Sequence, residues 1–185
     1  NLVGFMKVIK EPMVLAFTTS ASEAALPIAM EKLERIGIPK HIVSFVLPLG
    51  YTFNLDGSTL YSAVAVIFLG QVYGVPLPLG LQIVILLTLM ISTKGIAGVP
   101  GAALIILAGT ATAFGIPVEG VAMLLGIDRV LDMARTMCNV TGNCIAGLVV
   151  ARWEHEISAE DLNSYIEKPM SDEEFAALTA DDKKA

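Results

Sequence analysis

Polar residues recur at helical spacing in the last long apolar segment of the chain. Asp128, Asp132, Arg135, Asn139 and Asn143 are separated by four, three, four and four residues. Because successive residues of a helix are turned by about 100°, all five fall in one narrow stripe. Such a stripe could bind a zwitterion, with a carboxylate for its ammonium group and a guanidinium for its carboxylate. The alternative is a buried ion pair between Asp132 and Arg135 that only fixes helix packing.

A second polar segment, Asn54 to Ser58, reads Asn-Leu-Asp-Gly-Ser and interrupts another apolar stretch. These residues are poor helix formers, so the sequence predicts that the helix unwinds there. Irregular backbone at membrane depth is tolerated where it is buried in protein or lines a cavity, and its free carbonyl groups beside an Asp carboxylate can bind a cation. Asn54 and Asp56 are therefore candidates for a sodium site. The alternative is a kink relieved by neighbouring helices.

The composition indicates that these polar groups belong to a membrane protein. Of the 185 residues, 55% are hydrophobic and 16% are charged, and the mean hydropathy of +0.70 is too high for an ordinary soluble domain. Between Ile42 and Ile127 only Asp56, Lys94 and Glu119 carry charge. The expected surroundings are a lipid bilayer, and no nucleic-acid partner is expected.

Segment lengths distinguish full membrane crossings from partial ones, since a crossing helix needs about 20 apolar residues. Residues 41–73 and 118–151 are long enough, the first being broken at the polar segment just described. Two shorter pairs, about residues 3–37 and 78–115, each read as a re-entrant helical hairpin that enters and leaves on one side. The predicted fold is an all-α membrane protein in which these four units form an inverted-repeat transport core within residues 1–152.

The charges predict an orientation and a separate tail. Basic residues lie at the ends of the first hairpin and after the last crossing: Lys7, Lys10, Lys32, Arg35, Lys40 and Arg152. By the positive-inside rule we expect a multi-pass protein of the cell (inner or plasma) membrane with a cytoplasmic carboxyl terminus. Residues 153–185 form an acidic tail that is expected to be solvated and partly disordered, and the net charge of −6 is that of residues 152–185.

The order of the motifs resembles that of the glutamate/aspartate (dicarboxylate/amino acid:cation) symporter family. The resemblance rests on a Ser-containing hairpin tip, the Asn54–Ser58 segment, the tip Lys94–Gly101 and the motif Asp128–Gly142, and it covers roughly residues 10–152. In pattern the chain is most similar to the bacterial proton-coupled glutamate/aspartate symporters. The family implies a substrate-carrying domain that slides against a homotrimeric scaffold as an elevator. The scaffold helices would lie upstream of Asn1, so the chain is expected to be a fragment.

The resemblance also implies roles for individual residues. Asp132 would bind the substrate amino group, Arg135 its side-chain carboxylate, and Thr136 with Asn139 its main-chain groups. Members that prefer simple dicarboxylates tend to lack the acidic residue matched by Asp132, and carriers of neutral amino acids lack the arginine. Since both are present, glutamate or aspartate is the expected substrate.

Three further residues would complete the substrate site. Ser22 and Val99 mark the hairpin tips that close over the substrate. Ser58 stands where many members have Thr, and this replacement retains a hydroxyl near the substrate carboxylate. The expected contacts therefore come from both hairpins, the broken helix and the last helix.

Two positions depart from the sodium-coupled pattern of the family. Asn143 stands where sodium-coupled members have a second carboxylate, and Lys94 stands beside backbone carbonyls used for another sodium ion, which its ammonium could repel or replace. Glu23 stands in the first tip, where sodium-coupled relatives often have Ser, and a desolvated carboxylate there could bind protons. Proton symport is therefore the first interpretation, with Glu23 the leading proton site and Asp128 the alternative.

Several alternatives stay open. Glu23 could merely pair with Lys94 or Arg129, and the retained Asn54 and Asp56 could still bind sodium. Sodium-coupled symport of the same substrates, or of C4-dicarboxylates, is the second transport hypothesis.

Other functional classes receive less support. Potassium counter-transport is disfavoured because Ser62 occupies the position of an acidic residue in the relatives that use it. An intramembrane hydrolase would need a nucleophile and a base, and the sequence has no Gly-x-Ser-x-Gly motif. A channel or structural subunit would conduct or assemble without a substrate. We therefore expect a transporter that is not an enzyme and that needs a coupling cation but no organic cofactor.

Overall fold

The computed structural model describes residues 1–95 and 102–181, and all regular structure in these residues is helical. The α-helices are α1 Leu2–Val8, α2 Lys10–Thr19, α3 Ser22–Arg35, α4 Lys40–Phe53, α5 Asp56–Val72, α6 Leu79–Ser92, α7 Ala102–Ala113, α8 Gly120–Trp153, α9 Ala159–Glu167 and α10 Asp172–Asp181. A short 3-10 turn, Thr93–Gly95, follows α6. The predicted all-α class is confirmed, whereas the inverted repeat and the re-entry of hairpins into a membrane remain predictions.

The first two long helices, α2 and α3, form a hairpin with a tight tip. Ser20 ends α2 in the left-handed region, with φ 53° and ψ 28°. The Thr19 hydroxyl donates to the Leu15 carbonyl at 2.7 Å and accepts the Ala21 N–H at 3.2 Å, which closes the tip. α3 then begins at Ser22, and both Ser20 and Ser22 are buried at the end of the hairpin.

The next long helical segment is interrupted where the sequence predicts a break. α4 ends at Phe53 and α5 begins at Asp56, so that Asn54 and Leu55 belong to neither helix. Among the described residues, the stretch Lys40–Val72 alone is both long and apolar enough to cross a membrane. α8 is 34 residues long but contains the polar stripe, and a second crossing there remains a prediction.

The helices pack into two hydrophobic clusters that share α8. One cluster contains buried side chains of α1 to α4 and α9, together with Val140 and Cys144 of α8. The other contains side chains of α5, α6 and α7, together with Val121 and Leu124 of α8. The charged part of the stripe lies along α8 between these two sets of apolar residues. Its polar groups are therefore buried at the junction of the two clusters.

Part of the acidic tail is folded, which differs from the expectation of a solvated terminus. α9 buries Leu162 and Ile166, four residues apart, in the first cluster. Each buried Leu or Ile stabilises by roughly 1.5–3 kcal/mol, whereas repulsion between exposed charges is screened by salt. The amphipathic spacing of these residues, and not the net charge, therefore decides the structure of this segment.

We expect Gly37→Ala to destabilise the full-length protein more than Gly74→Ala. Both glycines have positive φ, 83° and 65°, so each alanine carries a backbone cost of roughly 1 kcal/mol. Only a Cβ at position 37 would meet the Tyr165 ring at 2.9 Å and Ile157 at 3.2 Å. Thermal unfolding in detergent should show the larger loss for Gly37→Ala. Equal losses would mean that α9 does not pack against the α3–α4 connection.

Candidate functional site

Three charged side chains of α8 form one buried ion-pair group. The Arg135 guanidinium donates from Nε to Asp132 Oδ1 at 2.9 Å and from Nη1 to Asp128 Oδ1 at 2.9 Å. Its Nη2 lies 2.9 Å from the same Asp132 oxygen. All three residues are buried, as is Thr136 beside them. The ion pair that the sequence offered as an alternative to a binding site is present, and Asp128 is its third member.

The charge balance of this group makes its members depend on one another. Two carboxylates and one guanidinium leave one net negative charge. A buried charge without a partner costs several kcal/mol, so Arg135 is the group that allows both aspartates to remain inside the protein. The group also presents both signs of charge in one place, which is what a zwitterionic ligand requires.

Tyr61 of α5 covers the guanidinium, a contact that the sequence analysis missed. The Arg135 Cζ lies 4.6 Å from the centre of the Tyr61 ring, and the Tyr61 hydroxyl donates to Asp128 Oδ1 at 3.2 Å. Attraction of a desolvated cation to an aromatic face is worth about 2 kcal/mol. Tyr61 follows Ser58 by three residues and so shares its face of α5, which is the signal that could have identified it.

Asn139 caps the helix that begins after the break. Its Oδ1 accepts the backbone N–H groups of Gly57 at 2.8 Å and Ser58 at 3.3 Å. These groups lie in the first turn of α5, where a helix offers them no internal partner, and the preceding Leu55 supplies no side-chain bond. The Asn139 Nδ2 also donates to Ser58 Oγ at 3.2 Å. A side chain of α8 thus replaces the N-cap of α5 and holds the break beside the ion-pair group.

Two glycines allow the break and α5 to approach α8 closely. A Cβ on Gly57 would overlap the backbone carbonyl of Arg135, and a Cβ on Gly142 would overlap the Asp56 carboxylate. Any other residue at position 57 would push α5 away from α8, whereas a side chain at position 142 would displace the Asp56 carboxylate. Backbone packing therefore requires glycine at position 57 before any ligand is considered.

Asn54 and Asn143 join the break to α8 one turn further along. The Asn54 Nδ2 donates to Asn143 Oδ1 at 3.0 Å. Asn143 is buried, and its Nδ2 has no hydrogen-bond partner among the described residues. A neutral amide here offers no negative charge to a cation, and one lone pair of its oxygen already accepts the bond from Asn54. Asp56, the other predicted cation ligand, is exposed.

Lys94 contacts the break from the end of α6. Its Nζ donates to the carbonyl of Phe53, the last residue of α4, which has no partner within its own helix. The preceding Thr93 hydroxyl lies 2.8 Å from the Thr59 hydroxyl of α5. The residues after α6 are thereby bonded to both sides of the break. The Lys94 ammonium group is hydrogen-bonded to a carbonyl that the break leaves free.

The predicted residues of the hairpin tips are not joined to this network in the described part of the chain. Ser22 is buried at the start of α3, and Glu23 beside it is exposed. Within residues 1–95 and 102–181, Glu23 forms no ion pair with Lys94 or Arg129, so that alternative is not observed. Val99 lies outside the described residues.

Comparison with known proteins identifies the family. Residues 1–153 match the model of the sodium:dicarboxylate symporter family. The chain therefore belongs to this family of transporters, as its motifs predict. Such transporters are membrane proteins and are not enzymes.

Individual relatives agree with this assignment. The chain is 50% identical over 166 residues to the proton/sodium-glutamate symport protein of Geobacillus stearothermophilus, covering 90% of this chain and 39% of the relative. It is 49% identical over 160 residues to the proton/glutamate-aspartate symporter of Escherichia coli (strain K12), covering 86% of this chain and 37% of the relative. It is 45% identical over 177 residues to the C4-dicarboxylate transport protein of Bordetella avium (strain 197N), covering 93% of this chain and 40% of the relative. The chain thus spans about two fifths of the length of these relatives.

Truncation of Asn139 tests its capping role. Asn139→Ala would leave the Gly57 and Ser58 N–H groups buried without an acceptor, and we expect a loss of about 1–3 kcal/mol in the free energy of unfolding. Asn143→Ala is the matched control, since it removes an equal volume from the same helix but strands no backbone group. Thermal unfolding of the full-length protein should rank Asn139→Ala below Asn143→Ala. The reverse order would contradict the capping role.

Proposed function

We propose that this chain forms the substrate-binding part of a secondary active symporter for the acidic amino acids glutamate and aspartate. The observation that carries the proposal is the Arg135 guanidinium held between the carboxylates of Asp128 and Asp132. Relatives named for glutamate, or for glutamate and aspartate, support the choice of substrate.

Substrate binding exchanges internal ion pairs for pairs with the ligand. The side-chain carboxylate of the substrate binds Arg135, and Asp132 turns from Arg135 to the ammonium group. Asp128 and the Tyr61 ring stay on the guanidinium. Because every buried charge keeps a partner throughout the exchange, the desolvation cost stays low.

Neutral polar groups around the ion-pair group bind the rest of the substrate. Thr136 and Asn139 face its main-chain groups, and the Ser58 hydroxyl lies near its carboxylate. Ser22 and Val99 belong to the hairpin tips that close over the bound ligand. Closure excludes water and strengthens the charged contacts.

A positive ion must accompany the substrate because the empty group is already negative. Glutamate and aspartate each bring one more net negative charge at neutral pH. A buried charge without a partner costs several kcal/mol. A cation that binds together with the substrate removes part of this cost, and this coupling is the physical basis of symport.

We favour the proton as the coupling ion. Asn143 has no charge, and the Asn54 amide donates to its oxygen. The Lys94 ammonium binds the Phe53 carbonyl, one of the oxygens that a sodium ion would need. Both features weaken the case for sodium at the break.

Glu23 is the leading proton site and Asp128 the alternative. Asp128 is engaged by Tyr61 and Arg135, whereas Glu23 is exposed and has no ion-pair partner among the described residues. Sodium coupling, or transport of C4-dicarboxylates, is the second candidate, because relatives are named for each.

The lipid bilayer is the proposed environment of the protein. Leu60, Val64 and Phe68 recur every four residues on α5 and are 63%, 60% and 43% exposed. An apolar stripe of this kind needs lipid or another protein surface to cover it. We propose a multi-pass protein of the cell (inner or plasma) membrane with a cytoplasmic carboxyl terminus, which forms a homotrimer through scaffold helices outside this chain.

Uptake of radiolabelled aspartate by the full-length protein in proteoliposomes tests the coupling. A proton gradient alone should drive accumulation, and a sodium gradient alone should not. Glu23→Gln should flatten the pH dependence of uptake, whereas Glu119→Gln, which removes an exposed acid elsewhere, should leave it intact. A requirement for sodium would contradict proton coupling. An unchanged pH profile in Glu23→Gln would assign the proton site to Asp128 instead. If neither gradient drives uptake, aspartate is not the substrate.

Asp132→Asn should shift the substrate preference from aspartate to succinate. The variant lacks the partner of the ammonium group but retains Arg135 for carboxylates, so we expect at least about a tenfold loss of aspartate affinity, equivalent to about 1.4 kcal/mol, and a smaller loss for succinate. Arg129→Gln, an exposed charge nearby, is the control that should change neither. Competition of each compound with labelled aspartate measures the shift, and equal losses would contradict the assigned role.

A further inference from the structure

Arg35, at the end of α3, connects the α2–α3 hairpin to the carboxyl-terminal tail. Its Nη2 lies 2.7 Å from Asp172 Oδ1, and its Nη1 donates to the Met170 carbonyl at 3.1 Å. The Arg35 carbonyl accepts the Met170 N–H at 3.1 Å. The Arg35 Cζ also lies 4.8 Å from the centre of the Phe175 ring, while Glu31 holds Nε at 2.8 Å. Arg35 thus binds the tail through an ion pair, hydrogen bonds of its side chain and its main chain with the Met170 backbone, and a ring contact.

The tail segment that contacts Arg35 includes the capped N-terminus of α10. The Ser171 N–H donates to Glu174 Oε2 at 2.8 Å, and the Glu174 N–H donates to Ser171 Oγ at 3.3 Å, which is a capping box at the start of α10. The backbone hydrogen bond from Ser171 lowers the pKa of Glu174. The carboxylate that makes the cap is therefore present at neutral pH and lost only in acid, below the usual range of a Glu carboxyl.

The two helices of the tail are held with different strength. α9 is fixed by Leu162 and Ile166 in the hydrophobic core. α10 is held to Arg35 by Asp172, whose side chain is 92% exposed, and by the contact of the Phe175 ring. An exposed ion pair shifts an equilibrium by a factor of only roughly two to five, and salt weakens it further. α9 is thus held by core burial, whereas the ion pair of α10 is exposed to salt.

We propose that Arg35 is a positioning residue for the substrate site and that α10 is a reversible latch on the base of the α2–α3 hairpin. The inference rests on the proposed function. α3 runs for 14 residues, about 21 Å, from Ser22 at the tip to Arg35 at the base, and Pro27 lies inside it. A tilt allowed at the base therefore displaces the tip. The match to the family model ends at residue 153, before the latch begins.

Hydrogen exchange of the full-length protein in nanodiscs, at low and at high salt, tests the latch. In the wild type, exchange of α10 should quicken roughly two- to fivefold at high salt while α9 stays protected. In Arg35→Gln and Asp172→Asn, α10 should exchange fast at both salt concentrations, and residues 18–23 should exchange faster than in the wild type. Lys168→Gln, which removes an exposed cation of the same tail, should behave like the wild type.

Uptake kinetics separate positioning from a purely structural role. At low salt, Arg35→Gln and Asp172→Asn should raise KM roughly two- to fivefold with kcat unchanged, and high salt should abolish the difference from the wild type. Slow α10 exchange in Arg35→Gln would reject the latch. Fast α10 exchange with unchanged KM and an unchanged tip would reject the positioning role.

Two features keep these outcomes interpretable. If Arg35→Gln does not fold, Asp172→Asn alters only an exposed side chain and gives the same test. Exchange of α10 is measured without substrate, so failed aspartate uptake would count against the proposed function and leave the exchange result on the latch standing.

Discussion

Burial of the Arg135 guanidinium is the constraint on which the other features of the site depend. Asp128, Asp132 and the Tyr61 ring compensate its charge from different directions. Removing one partner from such a buried pair typically costs about 3–5 kcal/mol, so these residues must be kept together. A ligand that brings its own carboxylate and ammonium group can replace the internal partners without leaving a charge unpaired. Under the proposed function, the interactions that stabilise the empty protein would therefore also select the ligand.

The architecture meets this constraint by fixing α8 on both sides of its charged part. Val121 and Leu124 anchor one side in the cluster with α5, α6 and α7, and Val140 and Cys144 anchor the other in the cluster with α1 to α4. The break before α5 can lie beside the charges because Asn139 satisfies the backbone groups that the break exposes. The packing of α8 and the hydrogen bonds of Asn139 thus together hold the broken helix beside the buried charges.

Local periodicity was sufficient to predict the polar stripe of α8 and the break at Asn54 and Leu55, because both depend on residues close in sequence. The contacts of Tyr61 and Asn139 were missed, since they depend on which face of α5 packs against α8. Net charge suggested a solvated tail, although the spacing of Leu162 and Ile166 already indicates an amphipathic helix. The burial of both residues in the core is a tertiary property that charge counting does not include.

A structure of the full-length protein with bound aspartate tests the central claim most directly. The account predicts that the substrate side-chain carboxylate contacts Arg135, that Asp132 lies within hydrogen-bond distance of the ammonium group, and that Asp128 and Tyr61 remain on the guanidinium. Aspartate bound elsewhere, with Arg135 still paired with both carboxylates, would show that the ion-pair group only stabilises helix packing.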